Sequence, residues 1–174
     1  MSCLVSKGVL LPCKDQRGGI KNLYFANYAE YTFVIAAQAV TDLGTLDEVL
    51  KYEVKATTNA LTETGTSSQD NGTFLVAQSL AVTLPRLGAD LQAQCQLICA
   101  GRPFVFVEDY NGNIMLVGAE NGTMSNMTKV TGGAGGDLSG YTLTVTGEEK
   151  NNSPFLDGAS KTALLTLVSE SVVS

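Results

Sequence analysis

Asn111-Gly112 lies between two β-rich runs, Phe104 to Val107 and Ile114 to Val117, and is followed by a glycine-rich stretch and an alternating segment, Tyr141 to Glu149. No other part of the chain constrains the fold as tightly. Asn-Gly between short apolar runs is the strongest local signal for a hairpin, because both residues tolerate the positive φ that a type I′ turn requires. The expectation is therefore strand, type I′ turn, strand, glycine-rich loop, strand.

The same region holds two arrangements that resemble ligand sites. Asp109, Asn111, Asn113 and Glu120 stand at positions 1, 3, 5 and 12 of a calcium-loop spacing, but position 6 is Ile114 where the sharp bend needs glycine, and the flanks are strand-like rather than helical. Gly132 to Gly136 offers bare backbone of the kind that wraps phosphate, yet no Lys-Ser or Lys-Thr pair and no helix start follows it. A connection between strands is the better reading. Cys95 and Cys99 share a helix face and with Cys3 and Cys13 make four thiols, but a first pair separated by nine residues is poor zinc spacing. Neither a metal nor a cofactor is expected.

Along the chain, Tyr31 to Ala36 reads as a strand preceded by the aromatic-rich Tyr24, Phe25 and Tyr28, and Val40 to Glu48 as a polar, turn-like segment. A long hairpin follows. Leu50, Tyr52, Val54, Ala56 and Ala60 alternate with Lys51, Glu53, Lys55, Thr57 and Asn59, and Phe74, Val76, Leu80, Val82 and Leu84 alternate with Leu75, Ala77, Ser79, Ala81 and Thr83. Thr58 and Gln78 interrupt the apolar face. The polar run Thr62 to Gly72 between the two strands is expected to be a projecting loop. Apolar residues at helical spacing place one helix at Ala89 to Ala100, stopped by Gly101, and Ala163 to Val168 reads as a last strand.

Composition bounds the function. A chain of 174 residues that is 44% hydrophobic suits one domain spanning 1–174, and 17 acidic against 11 basic residues give a net charge of −6, the wrong sign for gripping phosphates. With no histidine in the sequence, Ser-His and Cys-His nucleophile pairs are impossible. Glu108-Asp109 and Glu148-Glu149 are neighbours along strands, so they point to opposite faces and read as solvated strand ends rather than as a catalytic pair. No enzyme is expected. Neither a signal peptide nor an apolar run long enough to span a membrane is seen, so the thiols are expected to stay reduced in a cytosol and the Asn-X-Thr triplets at Asn71, Asn121 and Asn126 to go unglycosylated.

The segments VEDYNGNIMLVGAENG and VTGGAGGDLSGYTLTVTGEEK, with LPCKDQRGGIKNLYFANYAEYTF, the Val49–Leu84 hairpin and GRPFVFVED, resemble a family of bacteriophage tail tube proteins found in phages of Bacteroides-type hosts. The likeness covers most of the chain but not the segment after Pro154. It implies a mainly β fold, a β-sandwich or barrel with one packed α-helix, whose long hairpin is shared in an oligomeric ring. It further implies a structural virion protein assembled in the host cytoplasm, in which hexameric rings stack around a DNA ejection channel and meet other phage tail proteins. Double-stranded DNA would pass without specific binding, and no membrane would be involved. Matched to the family, Thr57, Asn59, Ser79 and Thr83 would face the lumen, and Thr64, Gly65, Thr66, Ser67, Ser68, Gln69 and Asp70 would form an inter-ring loop. The alternatives are a single-ring connector of a short tail, as in a crAss-like phage, and a non-catalytic β-sandwich binding module, the latter disfavoured by the absence of Trp.

Overall fold

Phe104-Val105-Phe106-Val107 has no polar member, and a strand apolar at every position must be covered on both faces. In the structure, a computed structural model that describes residues 7–11, 13–54 and 58–169, this run is central and all four residues are buried. The elements in chain order are β1 (Ile20–Ala26), β2 (Val34–Ala36), β3 (Ala39–Asp42), β4 (Leu50–Glu53), β5 (Ala60–Ser68), β6 (Thr73–Leu84), α1 (Ala89–Ala100), β7 (Phe104–Asp109), β8 (Ile114–Val117), β9 (Met124–Val130), β10 (Gly140–Glu149), β11 (Phe155–Leu156) and α2 (Gly158–Thr166).

They make a seven-stranded sheet, ordered β2-β3-β11-β8-β7-β1-β4, and a four-stranded antiparallel sheet, ordered β5-β6-β10-β9. Neither closes into a barrel; the fold is mainly β and sandwich-like. Leu23, Phe25, Val105 and Val107 on one face of the larger sheet pack with Leu80, Val82, Tyr141, Leu143 and Val145 of the smaller sheet and with Cys95 and Ile98 of α1. On its other face, Tyr24, Phe104, Phe106 and Leu116 pack with Val40, Leu43 and Leu46 and with Leu164 of α2. The period of two along a strand assigns alternate residues of β1 and β7 to the two cores.

Four expected elements form as read: the β7–β8 hairpin, the alternating strands β6 and β10, and α1, where the Gly101 N–H closes the helix on the Leu97 carbonyl at 2.9 Å. The turn at Asn111 differs in type. Only Gly112 has positive φ there, +79°, and Asp109 pairs with Asn113 around a three-residue turn, whose side chain–backbone bonds come from Asp109. The two consecutive positive φ values of a two-residue turn occur instead at Ala37 and Gln38, +50° and +66°, between β2 and β3.

The long hairpin is redrawn. Leu50–Glu53 leaves it and pairs with β1 at the rim of the larger sheet, so the hairpin is β5–β6. Thr62–Ser68, expected in the loop, is strand, and the turn is confined to 69–72. Thr and Ser are at home on a pleated surface exposed on one side, which is why a polar run did not mean a loop. Three further readings are corrected. Tyr24 and Phe25 lie on β1 itself, and the strand after them starts only at Val34. Part of the turn-like Val40 to Glu48 is β3. Ala163 falls within a second helix, whose N-cap Asp157 accepts the Ser160 N–H at 2.7 Å; of the expected last strand only Val168 bridges, to Val49.

Phe106 has no solvent exposure and packs in the core on the α2 side of the larger sheet. Phe106→Ala is expected to cost about 3–5 kcal/mol in chemical denaturation, with β7 the last element to exchange its amides in the wild type.

Candidate functional site

The register of the smaller sheet builds one surface residue by residue. Leu61, Val76, Leu80, Val82, Leu143 and Val145 point to the core, so the alternate positions point away from it. Those outward positions are Ala60, Thr62, Thr64, Thr66 and Ser68 on β5; Thr73, Leu75, Ala77, Ser79, Ala81 and Thr83 on β6; Thr142, Thr144, Thr146 and Glu148 on β10; Met124, Asn126, Thr128 and Val130 on β9. Cross-strand neighbours are small and hydroxylic, as in Thr62↔Ser79 and Thr146↔Ser79. Glu148 is the one charge on this face, and no Lys or Arg stands on it among its described residues. Apart from Glu148, the polar groups of this face are neutral hydroxyls and the Asn126 amide.

Of the four residues matched to a lumen, Ser79 and Thr83 lie on this outward face. Asn59 does not: it is 5% exposed, and its Oδ1 accepts the Thr83 N–H at 2.7 Å just before β5 begins. Asn59 precedes β5, which begins at Ala60, so the alternation extrapolated to it does not apply. Thr57 lies outside the described residues.

Beyond β10 the hairpin runs on alone. Glu149 of β10 pairs with Val76, so Thr66↔Leu75, Ser67↔Phe74 and Ser68↔Thr73 have no third strand beside them. Three pairs overhang by about 10 Å at the usual strand rise. Phe74 and Leu75 are 52% and 43% exposed there, and Phe74 rests against Gly65, where a Cβ would meet its ring at 3.0 Å. Of the seven residues expected in an inter-ring loop, Thr64, Gly65, Thr66, Ser67 and Ser68 are therefore strand, and only Gln69 and Asp70 are in the turn.

The carboxylates elsewhere are occupied structurally. Glu108 Oε2 accepts from Asn22 Nδ2 at 2.6 Å and from the Tyr24 hydroxyl at 2.7 Å, and Lys21 stands 3.5 Å from Oε1. Burial alone would raise its pKa, but these donors and the Lys21 charge outweigh burial and hold it below the usual value. Asp109 is consumed by Asn111 and Asn113, while the Glu120 N–H points to Glu149 on another strand, so the calcium-like spacing does not fold into one loop. Glu149 is 3% exposed rather than a solvated strand end, and burial raises its pKa despite N–H bonds from Asn121 and Glu120. The glycine-rich loop is pinned by Asp137, whose Oδ2 accepts N–H from Gly133 and Ala134 at 2.9 and 2.8 Å. Cys95 and Cys99 are free thiols against the core, Cys95 pushed up to about 11 by burial and by Cys99, while Cys13 is exposed. Cys3 lies outside the described residues, and among those described no three His, Cys, Asp or Glu side chains are grouped to hold a metal ion.

Comparison with protein-family models, with curated proteins and with solved structures finds no match to this chain.

The depressed pKa of Glu108 means that its bonds stabilise the fold above the unfolded carboxyl pKa near 4.5 and lose that contribution as pH falls through the lower folded value. Glu108→Gln is expected to cost about 1–3 kcal/mol at pH 7. Thermal unfolding across pH 3 to 7 checks this, because the gap between variant and wild type should narrow steadily below about pH 4.5.

Proposed function

We propose that this protein is a structural virion protein, a bacteriophage tail tube subunit whose copies form hexameric rings stacked around a DNA ejection channel. The observation that carries the reading is the outward face of the smaller sheet, mostly Thr, Ser and Ala and without Lys or Arg among the described residues, joined to strand edges that no other described strand pairs. A channel wall must let a polyanion slide. Lys or Arg on it would displace counterions and hold the strand, whereas small neutral hydroxyls leave the phosphates solvated. The net charge of −6 agrees with a wall that does not bind DNA.

The edges supply the association. β5 and β9 are the two rims of the smaller sheet, nine and seven residues long, and exposed rims of this length invite pairing with another chain. The four strands alternate in direction, so rotating one copy beside another sets β5 of the first antiparallel to β9 of the second. That contact is head-to-tail and closes into a ring when the rotation closes. Each copy then contributes four strands to a shared lumen wall, with Ser79 and Thr83 facing the channel. The β5–β6 overhang projects from the end of the sheet and serves as the contact to other tail proteins and to the next ring. Assembly takes place in the host cytoplasm, and the mature location is the virion tail.

Purified protein is expected to form rings or tubes without nucleic acid, visible by negative-stain imaging; monomers alone across a wide concentration range would contradict the proposal. The double substitution Phe74→Asp with Leu75→Asp should shift monomer stability by only about 0.5 kcal/mol, as exposed positions do. Rings should persist in it while stacking is lost, read by sedimentation.

A further inference from the structure

At the end of the sandwich where the hairpin overhangs, three connections converge: the β2–β3 turn, the β8–β9 turn and the link from β10 to β11. Between them is a cavity of about 50 Å³ whose polar lining is Gln38, Gln78, Glu120, Glu149, Asn151 and Asn152 and whose apolar wall is Ile35, Ala119 and Pro154. Water needs roughly 10–15 Å³ by this measure, so there is room for an ion and a few waters. Glu149 is the decisive group. Its Oε1 accepts the N–H groups of Glu120 and Asn121 at 3.2 and 3.0 Å, while its Oε2 is buried with no hydrogen-bond partner among the described residues. An anionic oxygen without solvent or donor is costly, and proteins relieve that cost by pairing, by coordination or by protonation.

The surroundings discriminate among these. Among the described residues no Lys or Arg lines the cavity to pair with Glu149. A second carboxylate, Glu120, is close enough for its charge to act on Glu149, and the remaining polar lining is amide. Asn152 donates its Nδ2 to Glu63 at 2.9 Å, which leaves its amide oxygen as the free end. The ligand atoms on offer are the oxygens of two carboxylates, Glu120 and Glu149, and of the Gln38, Asn151 and Asn152 amides, and all but Glu149 come from irregular connections rather than a rigid helix face. Calcium accepts that combination, because it takes six to eight oxygens in flexible geometry, whereas zinc favours nitrogen and sulfur and magnesium demands a near-ideal octahedron.

We infer that the Glu120–Glu149 cavity is a calcium-binding site, in which the ion ties the β2–β3, β8–β9 and β10–β11 connections together. Its position matters for assembly. Glu149 is the last residue of β10 and pairs with Val76 at the root of the overhanging hairpin, so an ion there stiffens the platform from which the hairpin projects. The carboxylates of the calcium-like sequence spacing are not the ones used, except for Glu120.

Calcium chloride titrated into wild type at neutral pH, followed by thermal unfolding and by calorimetry, tests the site. Wild type should show a saturable rise in Tm and measurable heat. Glu149→Gln should abolish both, and Glu120→Gln, at an exposed position that does not endanger folding, should weaken affinity by about tenfold through loss of one ligand charge. Should Glu149→Gln fail to fold, the Glu120→Gln comparison decides alone. No calcium response in wild type, or the same response in wild type and Glu120→Gln, overturns the inference; in the former case Glu149 is held as the neutral acid.

Discussion

Burial of β1 and β7 on both faces is the constraint from which the architecture follows. Leu23, Phe25, Val105 and Val107 need one apolar layer, and Tyr24, Phe104 and Phe106 need another, so the larger sheet must sit in the middle of the molecule. The smaller sheet and α1 cover one side; α2 and the 40–46 region cover the other. Once the larger sheet is spent as a central layer, the smaller sheet has only one face left to commit to the core. Its opposite face points away from the core and carries mostly Thr, Ser and Ala.

That division explains why polar groups inside the sandwich are handled individually. Gln78 interrupts the apolar face of β6, yet its Oε1 accepts the buried Gly118 N–H at 3.0 Å, fastening the β8 end of the larger sheet to the smaller. Glu149, three pairs further along β10 than Thr146, reaches into the same seam and captures the turn at Glu120 and Asn121. Glu108 gathers Asn22 and Tyr24 across the β1–β7 ladder. Each is an acceptor at least partly buried where two elements are held in register, and such bonds help specify geometry.

Much of this was legible because the periodicity is strong. The alternation in β6 and β10, the helical spacing of Leu91, Cys95 and Ile98, and the paired apolar runs around Asn111 each have one satisfactory structural solution. The rest was obscured for identifiable reasons. Thr62–Ser68 has the polarity of a loop but the residue types of an exposed strand, and pairing with β6 decides. Leu50–Glu53 alternates in phase with the hairpin, so nothing local reveals that its partner is β1. ALLTLV reads equally as strand or helix, and the Asp157 cap, a signal present in the sequence, selects the helix. Asn59 and Glu149 were misassigned because exposure was inferred from polarity, whereas both are buried and hydrogen-bonded.

The central claim is that β5 and β9 find their missing partners on neighbouring copies. Hydrogen exchange of the backbone amides, followed by mass spectrometry on dilute and on concentrated protein, addresses it directly. The account predicts that β1 and β7 are protected in both samples, while protection of β5 and β9 appears only as copies associate. Equal protection of β5 and β9 at every concentration, or association that leaves both edges exchanging freely, would contradict it.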